Sequence, residues 1–258
     1  MPLIGNIDDL KWNYDPEVSP AGRSPIRINT PHLEVRIIVL KPGQFPPYHR
    51  HHAEMDEGYL IYRGRGLMNA DGEVFEVGAG DVLLGKRGGF HNMKNIGGED
   101  LIEFNFRGGK MPSGNIKPDG DGAPADPDLE KPGAAEARNK YVKGTLKSLA
   151  RKFDPETVKR KGLPKVFTTE HLDLRIISFA PGAQPELHRH QNNMDEAGLI
   201  LKGRAFYHID GDEFEAGEGD LIHLPGGSWH YIKNTGGGEL ILFIMQGGSL
   251  PSATDWKK

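Results

Sequence analysis

The sequence predicts an all-β protein of two tandem β-barrels joined by a helix-containing linker. Three observations predict it: an internal duplication, short strands with regular turn punctuation inside each copy, and one connecting stretch of helical composition. Residues 32–113 lie on residues 171–252 at a constant offset of 139 with no insertion or deletion. About 38 of the 82 aligned positions are identical, far above chance for a single offset. That period is much longer than a solenoid repeat, so each copy is expected to carry its own core.

Taken in order, residues 1–31 form an N-terminal extension, 32–113 the first barrel, 114–170 a linker and 171–258 the second barrel with a short tail. Inside the first copy "EVRIIVL", "YLIYR", "EVFEV", "DVLLG" and "LIEFNF" are short runs rich in β-branched and aromatic residues. They are separated by "KPGQFPP", "ADGE", "GAGD", "KRGG" and "IGGED", which are turn compositions. Many short strands so punctuated argue for a sandwich or barrel. The linker opens with the loop composition "DGDGAPADPDLEKPG". It continues with "AAEARNKYVKGTLKSLARKF", read as one helix near residues 134–152 that ends before "DPE".

Composition bounds the function. The 258 residues are 36% hydrophobic, enough for two ordinary cores, and a net charge of -4 provides no basic field for nucleic acid or an anionic membrane. No apolar run approaches a membrane span, and the start "MPLIGNIDDLKW" has neither a basic nor a hydrophobic signal region, so a cytoplasmic location is expected. There is no cysteine, which removes thiolate ligands and leaves nitrogen and oxygen to hold any metal.

Six of the eleven histidines belong to one pattern that occurs twice: His49, His51, Glu57 and His91, then His188, His190, Glu196 and His230. Residues i and i+2 of a strand share a face, so both histidines of each His-Arg-His can point inward while Arg50 and Arg189 point out. Three imidazoles and a carboxylate suit Fe(II), Mn(II), Ni(II), Co(II) or Zn(II) and leave two octahedral positions open. The competing reading, histidines that merely cap loops, has to explain two complete sets in register. An intermediate reading makes one centre catalytic and the other structural or vacant.

Other residues carry weaker signals. His32 and His171 suggest a turn or packing role, and His52, His208 and His223 have no counterpart in the other copy. Arg36 with Arg175, and Arg65 with Arg204, recur; such arginines usually bind carboxylates of the fold, and one could clamp an acidic substrate. Met55 and Met194 read as core filling. Strand parity places Tyr59 inside the first barrel where the second has Gly198, and Phe90 opposite Trp229 in the alignment; these three are read as inner residues and are expected to set substrate preference. Tyr59 is the candidate acid–base or orienting group, because a phenol beside a cation can have its pKa lowered. The alternative is an aromatic filling the barrel mouth. Glu103, Asn105 and Arg107 face Leu242, Ile244 and Gln246 in the alignment. They either line a site or mark a solvent face that the second copy buries in an oligomer, and the second option is preferred.

The motif spacing resembles the cupin superfamily, specifically a two-domain bicupin. Gly43, His49, His51, Glu57 and Gly64 fill the first signature, as do Gly182, His188, His190, Glu196 and Gly203. Gly80, Gly88, His91 and Asn95 keep the second, as do Gly219, Pro225, Gly227, His230 and Asn234. Two departures stand out: the gap before each glutamate is one residue longer than usual, which brings Asp56 and Asp195 into contention, and Lys86 replaces a proline. Glu57 and Glu196 remain preferred because the spacing to the following glycine is kept. The resemblance implies jelly-roll barrels and a centre that favours iron or manganese. It also implies a metal-dependent dioxygenase or related oxidoreductase acting on a small metal-chelating organic molecule. The alternatives are a non-redox isomerase, decarboxylase or hydrolase, or a metal-containing binding protein without turnover. A homo-oligomer, dimer or larger, is expected.

Overall fold

A computed structural model describes residues 2–19, 24–109, 134–248 and 254–256. The loop-like stretch 119–133 of the linker lies outside them. The chain forms two compact units, Lys11–Lys147 and Met1–Leu10 with Ser148–Lys258. Among the described residues no helix is long and apolar enough to cross a membrane.

In the unit Lys11–Lys147 a seven-stranded sheet runs in the order Val142–Thr145, Asp81–Leu84, Met55–Arg63, Leu101–Gly109, Leu33–Leu40 and Trp12–Asn13, with Ile28–Asn29 also on Leu33–Leu40. A three-stranded sheet of Glu73–Gly78, Arg65–Ala70 and His91–Asn95 faces it. The interior between them is filled by Ile38, Leu40, Tyr59, Ile61, Met68, Phe75, Leu83 and Met93. The strand Leu101–Gly109 is buried on both faces, because Phe104 and Phe106 on the opposite side are fully buried as well. Gly58 is required there: a Cβ would lie 2.4 Å from the Phe106 ring. The second copy has the smaller Met245 at the Phe106 position and accommodates Ala197.

The other unit repeats the arrangement. Its larger sheet orders Leu3–Asn6, Asp220–Leu224, Met194–Lys202, Leu240–Gly248, Leu172–Phe179 and Arg151–Lys152, with Phe167–Thr168 on Leu172–Phe179. Its smaller sheet orders Asp212–Gly217, Arg204–Ile209, His230–Asn234, His188–His190 and Thr254–Trp256. Pairings match at the same offset: Phe106 opposes Val35 as Met245 opposes Leu174.

The duplication extends beyond residues 32–113. Leu3–Asn6, Ile7–Leu10, Trp12–Asn13 and Ile28–Asn29 have structural counterparts in Val142–Thr145, Leu146–Leu149, Arg151–Lys152 and Phe167–Thr168. The N-terminal extension and the end of the linker are therefore copies of one arm. Each unit also takes one edge strand from the arm that precedes the other copy: Leu3–Asn6 pairs with Asp220–Leu224, and Val142–Thr145 with Asp81–Leu84.

The single linker helix expected near 134–152 is corrected by the same feature. Ala134–Tyr141 is helical, but the chain turns extended at Val142–Thr145, where Gly144 has φ +144° and pairing to Asp81–Leu84 outweighs helix propensity. "DPE" opens a helix and does not end one. Asp154 caps Pro155–Lys161 by accepting from the Glu156 N–H, and Pro155 occupies the first turn.

Candidate metal centres

The two histidine sets sit at equivalent places in the two barrels. His49 and His91 exchange both backbone hydrogen bonds, 3.1 and 2.7 Å, and His188 opposes His230 in the same way. One possible ligand atom from each of His49, His51 and His91 lies within 4.8 Å of the other two, and the same holds for His188, His190 and His230. Glu57 joins the first set, with Oε1 3.5 Å from His51 Nε2 and Oε2 3.2 Å from His91 Nε2. Glu196 Oε2 lies 3.3 Å from His190 Nε2. Ligands that share an ion at about 2.1 Å and at right angles are about 3 Å apart, so these spacings admit one.

Hydrogen bonding prepares the rings for that role. Nδ1 of His49, His91, His188 and His230 donates to the carbonyls of Pro47, Gly89, Glu186 and Ser228, at 2.8, 3.2, 2.8 and 2.9 Å. A carbonyl only accepts, so the proton is on Nδ1 and a lone pair is left on Nε2. His230 Nε2 is buried without a hydrogen-bond partner, which a metal ion would satisfy. Burial and the neighbouring imidazoles hold His49 well below its usual pKa; burial lowers His91 to about 4 and His188 to about 3. All three are neutral near pH 7, as ligands must be. Burial alone would raise Glu57 and Glu196. The Arg107 charge with His51 and His91 outweighs it at Glu57, and His190, His230 and the Gln246 amide do so at Glu196, so both remain ionised.

Asp56 and Asp195 turn to the other face. Asp56 accepts two bonds from Arg87, 3.0 and 2.8 Å, while Asp195 takes His223 Nε2 at 3.1 Å and the Gly226 N–H at 3.2 Å. Adjacent strand residues point oppositely, so of each pair only the glutamate faces the histidines.

The surroundings of the two centres diverge. In the first barrel Glu57 Oε1 accepts from Arg107 Nε at 2.6 Å and Asn105 Nδ2 at 2.7 Å, and Arg107 also reaches Glu34 at 3.1 Å. Tyr59 is buried among them, its ring centroid 6.1 Å from that of His91. Burial and Glu57 push its hydroxyl well above the usual phenol value; a cation held by the neighbouring histidines would act in the opposite direction. In the second barrel Gln246 replaces Arg107 and donates to Glu196 at 2.5 Å. Gly198 replaces Tyr59, and the Tyr207 hydroxyl fills that space, 3.2 Å from where a Cβ would stand. A cavity of about 240 Å³ opens on His188, His190, Glu196 and His230; Phe153, Ile244 and Trp256 are among its apolar walls.

Two expectations are corrected. Glu103, Asn105 and Arg107 are not a solvent face but buried groups around Glu57, and Ile244 lines the second cavity with Leu242 in the same core, so neither belongs to an exposed oligomer face. Phe90 and Trp229 do not point inward. Each neighbours an inward histidine and so faces out, stacked under Arg50 at 5.0 Å and Arg189 at 4.9 Å. His32 and His171 follow the expected turn role, with their N–H groups on Thr30 and Thr169. Sequence reading missed Arg107 and Gln246 as partners of the glutamates, and Lys165, Thr254 and Trp256 as cavity residues. The first pair was accessible from strand register, since Arg107 directly opposes Glu57 and Gln246 opposes Glu196.

Comparison with known proteins agrees with this picture. A cupin-domain family model matches residues 36–104 and 175–245. An uncharacterized protein of Methanocaldococcus jannaschii is 36% identical over 55 residues, 21% of this chain and 43% of that protein, so the chain covers less than half of that relative's length. The salicylate 1,2-dioxygenase of Pseudaminobacter salicylatoxidans superposes with a TM-score of 0.61 at 13% identity, over 89% of this chain and 76% of that one. Its gentisate adduct gives 0.58 at 12%, over 93% and 76%. A cupin 2 conserved barrel domain protein from Leptotrichia buccalis gives 0.58 at 14%, over 87% and 88%. At these identities the likeness is one of fold.

Proposed function

The chain belongs to the cupin family, with one cupin domain in each half, and from that premise we propose that it is a metal-dependent dioxygenase acting on a small metal-chelating organic molecule in its second barrel. His188, His190, Glu196 and His230 hold the ion there, and His49, His51, Glu57 and His91 hold a second ion in the first barrel. The observation that carries the assignment is the cavity of about 240 Å³ that ends on the second set. The first set faces Tyr59, Glu103, Asn105 and Arg107, an aromatic and three polar or charged groups where the second copy has Gly198, Leu242, Ile244 and Gln246.

A bound divalent ion of this donor set, Fe(II) or Mn(II) by preference, supplies a Lewis-acidic centre with two positions for substrate oxygens or dioxygen. The chain's residues do the rest. The carbonyls of Glu186 and Ser228 fix the tautomers of His188 and His230. Gln246 holds Glu196 in place with a neutral amide, so the carboxylate keeps its full charge for the ion. Phe153, Phe179 and Ile232 give the cavity apolar walls that exclude water, and Trp256 packs 4.9 Å from the His188 ring at its edge. In the first barrel Tyr59 is buried beside His91 and takes up the space that Gly198 leaves in the second copy.

Metal analysis of tag-free protein, followed by oxygen-electrode screening of the iron- and manganese-loaded forms with catechols, hydroxy acids, diketones and oxalate, tests the reading. Substrate-dependent oxygen uptake is expected. Turnover without oxygen uptake would replace the dioxygenase with a non-redox metalloenzyme.

A further inference from the structure

Two cations share one buried carboxylate in the wall of the second cavity. Lys165 Nζ lies 2.6 Å and Arg175 Nη2 3.1 Å from Asp173 Oδ2, which is fully buried. Both cations line the cavity that holds His188, His190, Glu196 and His230. Two positive charges against one negative leave an excess of one. Arg175 has a side chain only 9% exposed, and its Nε is buried with no hydrogen-bond partner. A buried guanidinium donor left unused is costly unless something not yet in place accepts from it.

The first barrel lacks this arrangement. The counterpart of Lys165 is Ile26, and Arg36, the counterpart of Arg175, is engaged by Glu34 at 2.7 Å and by the Ser24 carbonyl and hydroxyl. Arg27 Nε is buried without a partner in the first barrel too, but the pairing of two cations on one carboxylate in the wall of the described cavity is a feature of the second copy.

We propose that Lys165 and Arg175 form an anion subsite that takes the carboxylate of the substrate while its chelating oxygens face the histidine set. This rests on the reading of the second barrel as the reactive centre. The substrate class is then a small carboxylic acid with an apolar body. A charged pair of donors suits a carboxylate better than a neutral amide, and the volume is below the 300 Å³ or so at which drug-sized pockets begin.

The probes are 2,3- and 3,4-dihydroxybenzoate, each beside its amide, in calorimetric titration of the zinc-loaded full chain. Each pair shares one chelating catechol and differs in the anion. At least one acid is expected to bind about tenfold more tightly than its amide. Lys165→Met is expected to abolish that preference with metal content unchanged; Lys165 is chosen over Arg175 because its side chain is 35% exposed and its loss is better tolerated. Equal binding of acid and amide to the wild type, or a preference that survives Lys165→Met, overturns the subsite. His190→Ala tests the premise separately: if both acids and amides bind it as they bind the wild type, the second-barrel metal site is wrong, and the subsite is judged by the Lys165→Met comparison alone.

Discussion

The residue directly across the sheet from each glutamate decides how its centre is charged. Arg107 opposes Glu57 and adds a cation within 2.6 Å, while Gln246 opposes Glu196 and adds none. Because Arg107 also serves the fully buried Glu34, Arg107→Gln should leave excess negative charge inside the first barrel. A loss of about 3 kcal/mol in urea unfolding is expected, since breaking a buried pair strands its partner; a loss below about 1 kcal/mol would contradict the pairing. The titrating groups predict a pH dependence after chelation of any metal. His91 at about 4 and His188 at about 3 are depressed, so the unfolded chain binds more protons below its histidine value of about 6.5, and stability should fall as pH drops from there toward 4. Glu103, raised to about 8 by burial and Glu57, acts with the opposite sign and weakens the fold as pH rises from about 4.5 to 8. Unfolding midpoints from pH 4 to 8 should therefore rise and then level or decline; a steady rise to pH 8 would show that Glu103 is not buried as described. The eight proposed ligands were legible at this scale because the spacing of His-Arg-His fixes a shared face. The outward turn of Phe90 and Trp229 was legible too, from their adjacency to His91 and His230.

At the scale of elements, the strands of both barrels follow from alternation and turn residues, and the pairings repeat at one offset. The arm copied in Leu3–Asn6 and Val142–Thr145 was not legible. Few of its aligned residues are identical, among them Gly5 with Gly144, Leu10 with Leu149 and "DPE" at 15–17 with 154–156, and its pairing is long-range in sequence. Removing residues 1–10 should expose the edge of Asp220–Leu224 and delete the buried Ile7. A destabilisation of at least about 2 kcal/mol is expected for the unit Ser148–Lys258, from loss of one buried side chain alone; an unchanged thermal midpoint would mean the edge strand contributes nothing. Gly203 tests the turn before Arg204–Ile209. Its φ is +91°, and a Cβ would stand 2.8 Å from the Glu239 carbonyl. Gly203→Ala should cost about 1–3 kcal/mol in chemical denaturation, and a neutral substitution would count against that backbone geometry.

Over the whole molecule, duplication supplied two copies of one centre and divergence of the pocket around them supplied the difference. The copies were legible from the gapless repeat, and with them the barrels and the ligand sets. The asymmetry was not, because it depends on where Tyr59, Tyr207, Arg107 and Gln246 lie in space. Tyr207 occupies, from another strand, the room that Gly198 leaves. Lys165 and Trp256 reach the cavity from segments outside the repeat as the sequence displays it. The central claim is that the second barrel carries the reaction. Oxygen uptake by His51→Ala and His190→Ala, each normalised to its metal content, tests it most directly. Each variant should lose one equivalent of metal; His51→Ala should keep most of the wild-type rate, and His190→Ala should lose at least about a hundredfold, as removal of a group essential to the chemical step does. Activity kept in His190→Ala and lost in His51→Ala would contradict the account and place the chemistry in the first barrel.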